Sequence, residues 1–265
     1  MTTTAPLPAD YVRFIDGIHT VCDIDLRHYR PGQMERRLRT FAERSGHADL
    51  DAYLAAIRRD QTARAEFLDR MTINVSELFR TPERFVQLEK EYLPQLAATS
   101  TRGLKVWSAA CSYGAEPYSL AILVNELYPK ARHEVRGADL DANVLARARE
   151  GIFNRADMRN VTAERRARWF TDTDDGGARV SEELRRAVKF EQMDLLKDRY
   201  PTNQDLILCR NVVIYFTAEA KRLIYDRLRA ALRPGGILMV GSTESIADAE
   251  ENGWEKAGTF FYRRP

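Results

Sequence analysis

The spacing of hydrophobic residues divides the chain into a helical first part and an alternating second part. Up to about residue 98, apolar residues recur every three or four positions, as they do on the buried face of an amphipathic helix. This spacing predicts helices over residues 9–21, 31–45, 49–58, 61–71 and 82–96. After residue 103, short apolar runs alternate with helical patterns, which is typical of a sheet covered by helices.

The alternating part predicts a mainly parallel sheet. Strands are expected over residues 104–108, 134–139, 188–193, 205–209 and 237–241, with helices over 117–128, 142–150 and 217–232 and a turn at Arg233–Gly236. Asp205–Cys209 is almost continuously apolar, as are central strands that are covered on both faces. The final residues, 254–263, predict two strands around Ala257-Gly258, which would end the sheet with an antiparallel hairpin. The fold class is therefore α/β, with a Rossmann-like sheet.

Residues 151–188 interrupt this alternation. The turn signal Asp174-Asp175-Gly176-Gly177 indicates a short hairpin in a small β insertion at about 155–190, and an ordinary surface loop is the alternative. The chain then divides into a helical domain over 1–80, a connecting segment over 72–98 and an α/β domain over 99–265. Thr81 is the expected N-cap of the helix within the connecting segment.

The stretch Lys105–Ser119 has the order of strand, small-residue loop and helix that opens many nucleotide-binding sheets. Pro117 suits the first helical position, because its missing N–H needs no partner there. Glu116 stands at the helix entrance, where a diphosphate site would present bare N–H groups. A carboxylate at this place repels phosphate and attracts a cation or a hydroxyl. Asp139, at the end of the next strand, is placed to bind ribose hydroxyls.

Composition and charge narrow the function classes. The chain has 265 residues and a net charge of +2 with both signs spread along it, which gives no basis for binding nucleic acid or a membrane surface. No apolar run reaches the about 18 residues of a membrane-spanning helix, and the first residues lack a signal-peptide pattern. Three separated cysteines suggest a reducing cytosol. The four histidines are scattered, so no metal site is expected.

The second predicted helix carries a local excess of arginine. Between Arg27 and Arg44, six arginines stand beside two glutamates, which gives a local charge of +4. The plain interpretation is a solvated helix face. The functional interpretation is a docking surface for an acidic partner, and the helical pattern alone leaves both open.

Five blocks of the sequence carry a family resemblance when their order and spacing are considered together. They are Asn74–Arg80, Ser112–Ser119, Gly137–Asp141, Cys209–Phe216 and Leu232–Gly236. With these blocks the chain resembles the chemotaxis receptor methyltransferases of the CheR family, over nearly its whole length. The resemblance implies a cytoplasmic bacterial enzyme that transfers a methyl group from S-adenosylmethionine to glutamate side chains of chemoreceptors and releases S-adenosylhomocysteine. It also implies a small helical N-terminal domain, a Rossmann-like methyltransferase domain and a small β insertion.

The resemblance also implies roles for particular residues. Positions that match the cofactor contacts of the family are Asn74, Ser76, Arg80, Glu116, Asp139, Asp194, Leu195, Arg210 and Asn211. Arg80 and Tyr215 are the candidates for orienting the substrate carboxylate, by charge-assisted and phenolic hydrogen bonds. The candidates for docking the methylation helices of the receptor are Arg36, Arg37, Arg39 and Arg44.

Some features depart from the family, and two other function classes stay open. Tyr113 replaces a usual Thr and Ala115 replaces an acidic or polar residue, both in the cofactor loop. Thr171–Val180 is shorter than in relatives that grip a receptor pentapeptide, so we expect no such tether, and we expect a monomer. A nicotinamide or flavin oxidoreductase would need a glycine-rich fingerprint, whereas this loop has only Gly114. A module that senses S-adenosylmethionine without catalysis is the remaining alternative.

Overall fold

The computed structural model describes residues 6–71, 76–100 and 102–265, which separate into two compact units. The smaller unit comprises Met1–Ile73 with Tyr215–Arg222, and the larger unit comprises Asn74–Ile214 with Leu223–Pro265. Within the described ranges, no helix combines the length and the apolar character needed to cross a bilayer.

Four helices form the smaller unit, where the apolar spacing predicted them. They are α1 (Ala9–Cys22), α2 (Pro31–Arg44), α3 (Leu50–Arg59) and α4 (Gln61–Met71). Their core contains an aromatic cluster in which the ring of Phe14 lies 5.8 Å from that of Tyr53 and 6.0 Å from that of Phe67. Gly17 lets α1 approach α3 closely, because a Cβ atom there would collide with the side chain of Leu54.

A short segment from late in the chain belongs to the same unit. Phe216 forms an antiparallel bridge with Tyr29, and the two rings lie 4.7 Å apart. The carbonyl of Tyr215 accepts a hydrogen bond of 3.0 Å from the amide of Arg30. Residues that follow a strand of the larger unit thereby join the helical unit.

The larger unit is built on a seven-stranded sheet with an inserted small sheet. Its strands are β1 (Lys105–Ala109), β2 (Glu134–Asp139), β3 (Ile152–Phe153), β4 (Phe170–Asp172), β5 (Ala178–Val180), β6 (Val188–Gln192), β7 (Gln204–Cys209), β8 (Leu232–Val240), β9 (Glu255–Gly258) and β10 (Phe261–Arg263). The main sheet has the order β6-β2-β1-β7-β8-β10-β9, and the small sheet has the order β3-β5-β4. The first five strands of the main sheet are parallel, and the last two form an antiparallel hairpin. The predicted α/β class is confirmed.

The described part of the larger unit contains seven α-helices. They are α5 (Pro82–Gln87), α6 (Leu93–Ala98), α7 (Ala115–Leu127), α8 (Ala142–Glu150), α9 (Ala163–Trp169), α10 (Glu182–Ala187) and α11 (Ala218–Ala231), the last of which begins in the smaller unit. A π-helical turn, Leu88–Tyr92, joins α5 to α6. We predicted one continuous helix here. Pro94 lacks the N–H that a regular α-helix would use, and this accounts for the irregular turn before it.

Two other boundaries differ from the prediction. Helix α7 begins at Ala115, so Pro117 is its third residue, which is still a position whose N–H needs no helical partner. The C-terminal hairpin turns at Thr259-Phe260, because Gly258 is already paired with Phe261 in the sheet. The predicted turn at Arg233–Gly236 is instead an irregularity inside β8, where the pairing register between β8 and β7 shifts.

Candidate functional site

Residues predicted to bind the cofactor follow adjacent parallel strands of the larger unit. Asp194 follows β6, Asp139 ends β2, and Arg210 follows β7. Between them, β1 leads into the loop before α7, which carries Glu116 in its first turn. The chain proceeds from β1 toward β6 on one side and from β7 toward β8 on the other. The order in which successive strands are added therefore reverses between β1 and β7, and ligands of open α/β sheets bind at such a point.

The loop after β1 has a strained backbone that a carboxylate stabilises. Ala110 and Ser112 have φ values of 60° and 51°, which are uncommon outside glycine, and Gly114 follows with a φ of 90°. Asp139 Oδ2 accepts a hydrogen bond of 2.8 Å from the amide of Ser112. Its other oxygen accepts from the amide of Asp141 at 3.1 Å. One buried carboxylate thus connects the loops that follow β1 and β2.

Burial raises the pKa of the Asp139 carboxyl above its usual range. Asp139 is only 7% exposed to solvent. The hydrogen bonds from the amides of Asp141 and Ser112 lower the pKa, but the loss of solvent has the larger effect. Further hydrogen-bond donors would therefore stabilise the ionised form of this group.

Glu116 forms a buried ion pair with Arg210. Glu116 Oε2 lies 3.0 Å from Arg210 Nη1, and the two side chains are 13% and 4% exposed. Glu116 Oε1 accepts a hydrogen bond of 2.7 Å from the hydroxyl of Ser108, which lies in β1. The sequence predicts that a carboxylate at this place attracts a cation or a hydroxyl. In the structure its charge is balanced by the guanidinium at the end of β7.

Arg210 also holds the segment that precedes α5. Its Nη2 atom donates to the carbonyl of Arg80 at 3.0 Å and to the hydroxyl of Thr81 at 3.1 Å. Thr81 was the expected side-chain N-cap of the following helix, and that prediction is wrong. Its φ is 65° and its side chain makes no capping hydrogen bond, since the hydroxyl accepts from Arg210 instead.

Sequence reasoning missed Glu244, which holds the loop that follows β7. Its Oε2 atom accepts hydrogen bonds of 2.7 Å from the amides of Asn211 and Gly241. Its Oε1 atom accepts from the amides of Val212 and Val213 at 3.0 Å each. Asn211, a predicted cofactor contact, is thereby held at a φ of 60°. The only signal in the sequence was an acidic residue shortly after a predicted strand.

Asp194 and Leu195 lie in a compact loop after β6. Asp194 Oδ1 accepts from the amide of Leu196 at 2.8 Å, so the carboxylate shapes its own turn. The carbonyl of Leu195 accepts from the hydroxyl of Tyr200 at 2.6 Å and from Arg227 Nη1 at 2.7 Å. These hydrogen bonds fix the loop at the same edge of the sheet as Asp139.

The remaining predicted site residues fall in different parts of the chain. Ser76 and Arg80 belong to the larger unit, and Tyr215 belongs to the smaller one. Asn74 lies outside the described residues. In the smaller unit, the ring of Tyr215 lies 5.9 Å from the guanidinium carbon of Arg37.

The four arginines predicted to dock a partner have different environments on α2. Arg37 donates to the carbonyls of Arg70 and Met71 at 2.6 and 2.8 Å, and burial lowers its pKa. Arg39 is held by Asp10 and Glu35, with its nearest atoms at 2.8 and 2.9 Å. Arg36 and Arg44 are exposed. Of the four arginines predicted to dock a partner, Arg37 and Arg39 are therefore bound within the smaller unit, and Arg36 and Arg44 are the exposed ones.

The carboxylates at the strand ends fit the cofactor that the sequence implied. S-adenosylmethionine offers ribose hydroxyls and a positively charged sulfur and has no phosphate. The Asp139 oxygens each accept one amide hydrogen bond here, and a carboxylate oxygen has capacity for a second. Its raised pKa would fall on accepting a hydroxyl donor. Among the described residues, no group of three His, Cys, Asp or Glu side chains could hold a metal ion.

Comparison with known proteins gives matches along almost the whole chain. The family model described as "CheR methyltransferase, SAM binding domain" matches residues 74–259, and "CheR methyltransferase, all-alpha domain" matches residues 9–72. A chemotaxis protein methyltransferase of Listeria innocua serovar 6a is 36% identical, with 97% of each chain covered. Chemotaxis protein methyltransferase 1 of Pseudomonas aeruginosa is 33% identical, with 90% of each chain covered.

Solved structures resemble the chain more distantly. A TehB-like S-adenosylmethionine-dependent methyltransferase of Corynebacterium glutamicum aligns with 69% of this chain and 94% of its own. Its sequence identity is 18% and its TM-score is 0.38. The family models are decisive, and S-adenosylmethionine is the cofactor of the domain that spans residues 74–259. The chain belongs to the CheR family of methyltransferases.

Proposed function

We propose that this methyltransferase transfers the methyl group of S-adenosylmethionine to glutamate side chains on the methylation helices of chemoreceptors, in the cytoplasm. The products would be glutamate methyl esters and S-adenosylhomocysteine. Membership of the family and the names of its chemotaxis relatives support methylation in chemotaxis. The glutamate substrate is the specific part of the proposal.

The observation that carries the proposal is the chemistry available at the strand ends. A glutamate carboxylate has a pKa of about 4.3 and is therefore already a nucleophile at neutral pH. The only histidine of the larger unit, His133, binds the amide of Leu104 and the carbonyl of Tyr128. It lies at the amino-terminal ends of β1 and β2, the edge opposite to Asp139. Within the described part of the larger unit, no imidazole lies at the edge of Asp139, which suits an acceptor that needs no general base.

The remaining work of the protein would be to position the reactants and exclude water. The bound cofactor supplies an activated methyl group on a positive sulfur. Asp139, Asn211 and the Glu116–Arg210 pair would bind and orient the cofactor from three neighbouring strand ends. Arg80 and Tyr215 are the candidates for aligning the substrate carboxylate, by charge-assisted and phenolic hydrogen bonds. Proximity and alignment of this kind account for large rate factors without proton transfer.

The test is methyl transfer from labelled S-adenosylmethionine to the purified cytoplasmic domain of a chemoreceptor. A matched receptor in which the methylation-site glutamates are replaced by alanine serves as the control. We expect label on the first receptor and none on the second. Label on both would show another acceptor and contradict the proposal. Tight cofactor binding with no transfer to either would favour the sensing module instead.

A further inference from the structure

Tyr113 makes a set of contacts that no role assigned so far explains. It lies in the loop between β1 and α7, next to Ser112, whose amide binds Asp139. Its ring is buried, with only 8% of the residue exposed, and the guanidinium of Arg147 lies 5.0 Å from the ring centre. Its hydroxyl accepts a hydrogen bond of 3.2 Å from the amide of Ser76 and donates to the carbonyl of the same residue.

The same hydroxyl also binds a buried carboxylate. Asp157 Oδ1 lies 3.0 Å from the Tyr113 hydroxyl, and Asp157 is 8% exposed. Its Oδ2 atom accepts from the amide of Asn154 at 3.1 Å, so the carboxylate is fixed by the turn that contains it. Burial raises the pKa of Tyr113 to about 12, so the hydroxyl keeps its proton near neutral pH. A phenol has one proton, which the Ser76 carbonyl and Asp157 must share.

The turn around Asp157 also contacts the two residues that follow Ser76. The carbonyl of Asp157 accepts a hydrogen bond of 3.1 Å from the amide of Leu78. Arg159, two residues later, forms an ion pair with Glu77. Three consecutive residues of the chain, 76 to 78, are therefore each held by the cofactor loop or by the start of the insertion.

We propose that Tyr113 and Asp157 are positioning residues, which together form a latch on the segment Ser76–Arg80. This inference rests on the proposed placement of Ser76 and Arg80 beside the cofactor. The latch keeps that segment against the loop after β1 before the cofactor arrives. It also makes cofactor affinity depend on the insertion, because Asp157 belongs to the turn that follows β3.

The latch would increase the fraction of protein molecules whose segment Ser76–Arg80 is already in the arrangement that binds the cofactor. The apparent dissociation constant of a ligand rises in inverse proportion to the fraction of protein in the competent arrangement. Tyr113→Phe removes the hydroxyl and keeps the ring that packs near Arg147. We expect the dissociation constant for S-adenosylhomocysteine to rise about tenfold. At saturating cofactor the bound ligand holds the segment, so kcat should change less than about twofold.

The experiment measures S-adenosylhomocysteine binding by calorimetry for the full chain and for four variants. They are Tyr113→Phe, Asp157→Asn, the double variant of these two, and Tyr128→Phe as the control. Tyr128 is a half-buried tyrosine just after the other end of α7. Amide exchange of Ser76 is followed by NMR in the same proteins, since its N–H is bonded to the Tyr113 hydroxyl. We expect faster exchange and weaker binding in Tyr113→Phe, and neither in Tyr128→Phe.

Each outcome supports or overturns the latch. If the two residues act as a unit, the double variant binds about as weakly as Tyr113→Phe, since the first change already breaks the connection. Unchanged affinity in Tyr113→Phe, or lower thermal stability with unchanged affinity and Ser76 exchange, would overturn the proposal. Failure of the unmodified chain to bind S-adenosylhomocysteine would instead count against the proposed function.

Discussion

At the scale of a single residue, Asp139 is a buried acid of the candidate site whose ionised form is disfavoured by the loss of solvent. Folding removes its carboxylate from water, which raises its pKa, and Asp141 nearby raises it further. Hydrogen bonds from backbone amides, those of Ser112 and Asp141 among them, offset this in part. A cofactor that donates hydroxyl groups would supply the missing stabilisation of the charge. Binding and ionisation of Asp139 should therefore be coupled.

We accordingly predict that cofactor binding weakens as the pH falls. The free protein has the raised pKa, and the complex a lower one, so the affinity is greatest above the free-protein pKa and is lost below it. In the limiting range, the dissociation constant should increase by about tenfold per pH unit. Calorimetry of S-adenosylhomocysteine binding between about pH 7 and about pH 4 tests this. Asp139→Asn should bind more weakly and show less pH dependence, and an unchanged profile would contradict the assignment.

The Glu116–Arg210 pair permits a second prediction at this scale. Removing one partner of a buried ion pair leaves a charge without compensation and typically destabilises by about 3 kcal/mol. Arg210→Met also removes the hydrogen bonds to Arg80 and Thr81. We expect it to lower the free energy of unfolding by about that amount. Adding Glu116→Gln should recover part of the loss, as measured by urea unfolding. Additive effects of the two substitutions would contradict a paired role.

The site residues differ in how far the sequence could reveal them. Glu116 and Asp139 could be predicted because Asp139 ends a strand and Glu116 lies in the first turn of the helix that follows the neighbouring strand, where ligands of open α/β sheets bind. Glu244 could not, since its partners are backbone amides, which carry no side-chain signature, and those of Asn211, Val212 and Val213 are far away in sequence. The pairing of Arg210 with Glu116 was also hidden, because it depends on the placement of β7 beside β1.

At the scale of elements, Glu244 lets one short loop keep its shape. The loop after β7 has consecutive amides pointing at one carboxylate, an arrangement that would be poorly satisfied by a neutral side chain. A glutamine offers one oxygen in place of two, so some of these amides lose their acceptor. Asn211 would then be less well held at its positive φ.

Glu244→Gln should therefore weaken both the fold and the cofactor site. Buried amides without acceptors destabilise by about 1–3 kcal/mol, and we expect a loss in this range by thermal or urea unfolding. The dissociation constant for S-adenosylhomocysteine should rise as well, because Asn211 moves. Glu251→Gln, an exposed glutamate of the same region, is the matched control. Equal effects of the two substitutions would contradict the role given to Glu244.

The elements themselves could be predicted where a pattern was long enough. Helices α1 to α4 and strands β2 and β7 follow from apolar spacing that extends over several turns or over a whole strand. Strand β3 has two residues, which is too short to show any period. The irregular stretch of β8 was predicted as a turn, because Pro and Gly carry the same signal in a bulge and in a loop.

At the scale of the whole molecule, the charge on α2 is relevant to partner binding. Arg37 and Arg39 are engaged within the smaller unit, whereas Arg36 and Arg44 are exposed. Exposed charges of this kind change the rate of encounter with an acidic partner more than the chemistry that follows. This distinction makes the docking proposal testable independently of the cofactor site.

We predict that Arg36→Glu combined with Arg44→Glu raises the KM for the receptor about tenfold and leaves kcat nearly unchanged. The dependence of kcat/KM on salt should become weaker, because screening then has less attraction to remove. Arg59→Glu on α3, also an exposed arginine of the smaller unit, is the control. A similar rise in KM for the control would show that the effect arises from net charge and not from α2.

The central claim is that the chain esterifies glutamate, and the chemical stability of the transferred methyl group tests it most directly. A receptor domain labelled by this protein from S-adenosylmethionine is exposed to mild alkali, and volatile methanol is collected. Because a glutamate methyl ester is hydrolysed by base, we expect the label to leave the protein as methanol. Label that stays on the receptor after this treatment would show methylation of nitrogen or another stable position, and would contradict the account.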